Sequence, residues 1–78
     1  MIEQLKENEI ASIKKIYKES TPEGDGAVNP ISYYELQNGN TAIVTETKRN
    51  ENEKCMLQSE FEHNNSKIYI YVVKAESI

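Results

Sequence analysis

Two spacings of apolar side chains divide the chain. Over residues 2–19 they recur at the helical interval. Ile2, Leu5, Ile10, Ile13, Ile16 and Tyr17 fall within an arc of roughly 140° at 100° per residue, wide enough to cover a sheet. Beyond residue 31 the interval drops to two, the period of a strand with one buried face. The predicted elements are a helix over 2–19, a loop over 20–30, and strands near 31–37, 41–48, 55–63 and 67–74.

In the helix, Glu3, Glu7 and Glu9 lie in the first half and Lys14, Lys15 and Lys18 near the end, the polarity that suits the helix dipole. Glu9 sits at the centre of the apolar stripe and breaks the pattern. Either the helix starts afresh with Asn8 as its N-cap or Glu9 reaches past the sheet edge, and an irregularity is expected near Asn8. Ser20-Thr21-Pro22 ends the helix, because proline disfavours helical geometry in the residue before it. Glu23-Gly24-Asp25-Gly26 and Asn29-Pro30 read as turn and boundary signals.

The last two strands set each other's register. Cys55, Leu57, Ser59 and Phe61 alternate with Met56, Gln58, Glu60 and Glu62, and Lys67–Lys74 is rich in β-branched and aromatic residues. A two-residue turn at Asn64-Asn65 places Glu62 opposite Lys67, Phe61 opposite Ile68, Ser59 opposite Ile70 and Leu57 opposite Val72. Apolar side chains then meet on one face, while Tyr69 and Tyr71 join Met56, Gln58 and Glu60 on the other. A slip of one residue would turn the apolar set outward.

The first strand pair is less decided. Asn38-Gly39 is a strong signal for a two-residue hairpin turn, which would put Leu36 opposite Thr41, Tyr34 opposite Ile43 and Tyr33 opposite Val44. The faces then fail to separate, and the buried side of 31–48 stays open. Apolarity on both faces fits contact on both, one of them with a second chain. Consecutive strands joined by short links usually neighbour each other. The expectation is therefore a single α+β domain over 1–78, its N-terminal helix packed on one face of a four-stranded antiparallel β-meander.

Length and composition narrow the class. The chain has 78 residues, 37% hydrophobic and 28% charged, with net charge −4 and pI near 4.9. A domain this small buries only about 60% of its extended-chain surface. Acidity disfavours direct binding to nucleic acid or to an anionic membrane. No apolar run approaches the roughly 20 residues of a membrane span. A single cysteine rules out an internal disulfide framework and fits a reducing compartment. The start, Met1-Ile2-Glu3-Gln4, lacks the regions of a signal peptide. A cytoplasmic, stand-alone protein is expected.

Catalytic chemistry finds little support. Cys55 and His63 share one strand and would lie on the order of 27 Å apart, too far for a thiol–imidazole dyad. Cys55 reads as a core residue and His63 as a solvated one. Zinc needs about four Cys or His ligands, and the twelve-residue calcium-loop pattern is missing around Glu23 and Asp25. Glu60 and Glu62, roughly 7 Å apart on one face, could serve glycoside hydrolysis, but a cross-strand pair of Glu62 with Lys67 accounts for them. No phosphate loop or dinucleotide fingerprint occurs. Neither enzyme activity, a metal nor a cofactor is expected.

A contact surface remains. Tyr69, Tyr71, Met56 and Val73 would form an apolar-aromatic strip rimmed by Gln58, Glu60 and Glu62, with Tyr33 and Val44 extending it. Tyrosine is enriched at interfaces, although aromatic cross-strand pairs also stabilise ordinary exposed sheets. The leading expectation is a small acidic module that binds and blocks or regulates a protein partner through this face. A partner that handles nucleic acid fits, because carboxylates compete for a basic groove. In size and acidity alone the chain looks like the phage-encoded inhibitors of host defence, anti-CRISPR proteins among them, an analogy of class that no motif carries. The alternatives are a symmetric homodimer or other homo-oligomer and a binder of a small ligand or of single-stranded nucleic acid, with Tyr69 and Tyr71 as stacking platforms.

Overall fold

The structure, a computed structural model, describes residues 4–20, 32–37 and 39–74. It is α+β: helix α1 (Glu7–Ser20) followed by strands β1 (Ser32–Glu35), β2 (Thr41–Thr45), β3 (Cys55–His63) and β4 (Ser66–Val73). Every neighbouring strand pair is antiparallel. The expected loop over 20–30 lies, beyond Ser20, outside the described residues.

Helix α1 begins five residues later than its apolar stripe suggested, and Glu9 explains why. Ile10 N–H donates to the Lys6 carbonyl (3.0 Å), the first intrahelical bond. Glu9 Oε1 accepts from Lys6 N–H at 3.1 Å. Lys6 is therefore the N-cap, and Glu9, three residues on, folds back in the manner of a capping box. The carboxylate that spoiled the stripe is the device that starts the helix. Leu5 and Ile10, the residues flanking this cap, both pack against the core, at the positions of a hydrophobic staple.

The strand order is β1-β2-β4-β3, not the consecutive order of a meander. Burial gives the reason. In β2, Ala42 and Val44 face one side and Ile43 the other, and all three are buried. In β4, Ile68, Ile70 and Val72 face one side and Tyr71 the other, and again all are buried. Strands apolar on both faces belong at the centre of a sheet covered on both sides. β3 carries exposed Glu60 and Glu62 and suits an edge. β2 and β3 consequently run parallel on either side of β4, and residues 46–54 must cross it.

The core lies between α1 and the sheet. Ile13 and Tyr17 pack on Ala42, Val44, Ile68 and Ile70, with Tyr34, Leu36 and Phe61 around them. Tyr17 is fully buried and meets Phe61 edge-on (centroids 5.9 Å, 84°) and His63 likewise (5.8 Å, 73°). Lys14 and Lys18 each hold Nζ 5.6 Å from the centre of the Phe61 ring, a cation–π arrangement. His63 is thus half-buried against Tyr17, where a solvated residue was expected.

Two registers differ from expectation, each through one residue. At the β1–β2 turn, Leu36 N–H donates to the Asn40 carbonyl (2.9 Å) and Gly39 N–H to the Leu36 carbonyl (3.0 Å). Gly39 has φ +88°. This is a three-residue loop closed by a left-handed glycine, so Tyr34 faces Ala42 and Tyr33 faces Ile43. The shift separates the faces that the two-residue turn had mixed. Tyr34, Leu36, Ala42 and Val44 look toward α1; Tyr33, Glu35 and Ile43 look away.

The β3–β4 hairpin turns at Asn64 (φ 52°) and Asn65 (φ 64°), both in the left-handed region that asparagine tolerates and a tight hairpin needs. Its pairing holds as expected from Glu62–Lys67 to Ser59–Ile70, and then a bulge intervenes between Leu57 and Ser59. Below it, Leu57 faces Tyr71 and Met56 faces Val72. Leu57 moves to the far face, and Met56 takes its place on the helix side.

Candidate contact surface

The far face of the sheet is covered at its centre and open at β1. A row of Tyr33, Ile43, Tyr71 and Leu57 runs across all four strands. Its two central members, Ile43 and Tyr71, are 5% and 1% exposed. Among the described residues, the segment that reaches this row is the crossover at residues 46–54. Arg49 N–H donates to the Tyr71 hydroxyl at 3.0 Å, which pins the connector over the ring. Further bonds hold it along its length. Thr47 N–H donates to Thr45 Oγ1 (3.1 Å) and Lys54 N–H to Asn52 Oδ1 (2.7 Å). Leu57 N–H donates to Glu51 Oε1 (2.9 Å) and Lys74 N–H to the Lys54 carbonyl (2.9 Å). Short Thr and Asn side chains bonding their own backbone two residues on are turn formers. They let a polar, charged segment lie down without apolar anchors.

This placement breaks up the strip expected from the sequence. Tyr71 is buried under the crossover and cannot meet a partner directly. Tyr69 is half-buried, with its ring 6.4 Å from that of Tyr71, and faces Thr45 and Glu60. Met56 has passed to the helix side through the bulge. Gln58, at the bulge, accepts from Leu5 N–H through Oε1 at 3.0 Å and ties the helix lead-in to β3. Glu60 and Glu62 are exposed, but Lys67 Nζ reaches Glu60 Oε1 (3.6 Å) rather than Glu62. Tyr33 alone of the set is a large apolar side chain standing well out, 64% exposed.

Catalytic geometry stays apart. Cys55 and His63 occupy opposite ends of β3. Cys55 is half-buried on the far face opposite Val73, not in the core, and borders a small hollow with Lys48, Arg49, Asn50 and Asn52. Among the described residues no cluster of His, Cys, Asp and Glu could hold a metal. No helix among them is long and apolar enough to cross a membrane.

The open surface lies at β1. Ile16, 47% exposed, and Tyr33 are the large hydrophobics that stand out from the described residues. Both border one groove between α1 and β1, together with Tyr34 and Leu36. Among the described residues no strand pairs with the outer edge of β1. The Leu36–Asn40 bond fixes the phase of the antiparallel ladder, in which bonded and non-bonded pairs alternate. Tyr34 and Ser32 point their N–H and C=O groups at β2, while Tyr33 and Glu35 point theirs outward. Sequence reasoning missed Ile16 and the groove because Ile16 sits within the stripe assigned to the core. The signal was there: one helix cannot cover four strands. No protein-family model, no characterised protein and no solved structure matches the chain.

Proposed function

We propose that the chain is a protein-interaction module that binds and blocks or regulates a protein partner, and that the contact runs along the β1 edge. One observation carries this reading: the two edges of the sheet are unequal. The β3 edge is guarded by a bulge, by the exposed carboxylates of Glu60 and Glu62, and by Glu51, which occupies the Leu57 N–H. Such features discourage strand pairing. Among the described residues, the β1 edge carries one exposed carboxylate, Glu35, but no bulge and no side chain on its outward N–H groups, and it has Tyr33 on one side and Ile16 on the other. Added contact there buries aromatic and aliphatic surface and satisfies main-chain groups together, as strand addition does.

Capture from source cells by the full chain tests the reading. Tyr33→Glu with Ile16→Glu should weaken capture by at least ~30-fold, the loss of one interface hot spot of about 2 kcal/mol, while Tyr69→Ala should leave it within a few-fold. Equal capture by the double variant and the parent would remove the β1 edge as the contact. The narrower form, a partner with a basic nucleic-acid groove, draws on the net charge of −4. It requires capture to weaken steeply with added salt.

A further inference from the structure

From the β1 edge we infer a specific occupant: in the free protein a second copy of the chain closes it, β1 against β1, about a twofold axis through Tyr34. The inference rests on the reading of β1 as the contact edge and adds its resting state. Partner binding then competes with self-pairing.

Self-complementarity selects the second copy and its register. Outward backbone groups belong to Tyr33 and Glu35, with Tyr34 midway between. An antiparallel copy can use them in three ways. An axis at Glu35 sets two carboxylates face to face, which is destabilising. An axis at Tyr33 joins one bonded pair among the described residues, where the axis at Tyr34 joins two. With the axis at Tyr34, Tyr33 faces the partner's Glu35 at both ends. Each strand's two outward N–H groups donate to the other's two outward carbonyls, and no like charges oppose. The same two-fold operation brings the grooves of both copies, with Ile16, Tyr34 and Leu36, to the junction on the helix side. Tyr33 covers it on the far side. An edge with apolar side chains on both of its faces suits a sheet that continues, and an isologous contact closes at two chains.

The decisive substitution is Glu35→Pro. The Glu35 N–H points away from β2, so proline there leaves the β1–β2 ladder intact and abolishes the donor the dimer needs. Sedimentation equilibrium of the full chain should show a monomer–dimer equilibrium, and Glu35→Pro should return it to monomer with the circular dichroism spectrum preserved. A second measurement reads the register without a destabilising proline. In a Cys55→Ser background, Tyr34→Cys should cross-link between chains on mild oxidation. Non-bonded antiparallel pairs hold their Cα atoms about 4.5 Å apart, within disulfide reach. Tyr33→Cys and Glu35→Cys, each offset from its own copy, should not. A parent that stays monomeric into the millimolar range overturns the inference. So does a dimer that survives Glu35→Pro, or cross-linking at 33 or 35 but not at 34. A monomeric parent that still loses its partner with Tyr33→Glu and Ile16→Glu refutes self-pairing alone. A dimer whose partner capture ignores those changes refutes the partner reading alone.

Discussion

Replacing Tyr71 separates a closed far face from an open one. The ring is 1% exposed and its hydroxyl accepts from Arg49 N–H at 3.0 Å. Truncating a buried large aromatic costs about 3–5 kcal/mol, through lost burial and the cavity left behind. A chain of 78 residues has a global stability of about 4–12 kcal/mol. Tyr71→Ala therefore removes a large share of the total. At about 4–8 °C per kcal/mol for a domain of this size, the melting temperature should fall by roughly 12–40 °C. Tyr71→Phe keeps the ring and deletes only the acceptor. Arg49 is exposed, so water can replace that acceptor, and the loss should stay near 0.5–1.5 kcal/mol. Urea denaturation followed by circular dichroism measures both. If Tyr71→Ala costs under ~1 kcal/mol, as an exposed tyrosine would, the crossover does not cover the ring and the closed face is wrong.

Two further substitutions test local devices. Glu9→Ala should cost about 0.5–1.5 kcal/mol and reduce helicity by removing half the capping box, whereas Glu9→Gln should cost only a few tenths because the amide oxygen still accepts; equal stability of all three forms would refute capping by Glu9. Asn65→Gly should stabilise the β3–β4 hairpin by a few tenths to about 1 kcal/mol and Asn65→Val should destabilise it by at least about 1 kcal/mol, since the left-handed conformation penalises a β-branched side chain; a reversed order in thermal melts would contradict the turn.

The β3–β4 hairpin was legible from sequence near its turn, where asparagine pairs and strict alternation agree. It became illegible at Gln58, because an inserted residue leaves the alternation of β3 unbroken and shows only in the partner strand. The β1–β2 turn was readable in principle. The mixed faces that a two-residue turn produced were the sign of a one-residue error, and the longer loop separates them. The strand order was hidden by a default. Consecutive strands usually pair, and nothing in residues 46–54 announces a crossover. What did announce it was Ile43 between Ala42 and Val44, and Tyr71 between Ile70 and Val72. Both marked strands buried on two sides. Of the expected contact strip, Tyr33 is what remains accessible as a large apolar group. The loss of Tyr71 and Met56 follows from the crossover and the bulge, two features that periodicity cannot see.

Amide hydrogen exchange along β1, read by NMR at two protein concentrations, tests the open edge most directly. The amides of Tyr34 and Leu36 should be protected in dilute and concentrated samples alike, because both donate to β2 and its turn. Those of Tyr33 and Glu35 should exchange freely in dilute solution and gain protection as concentration rises and the edge is filled. Protection of Tyr33 and Glu35 equal to that of Tyr34 in dilute solution would mean that the edge is already paired within the chain, and the proposed surface would not exist.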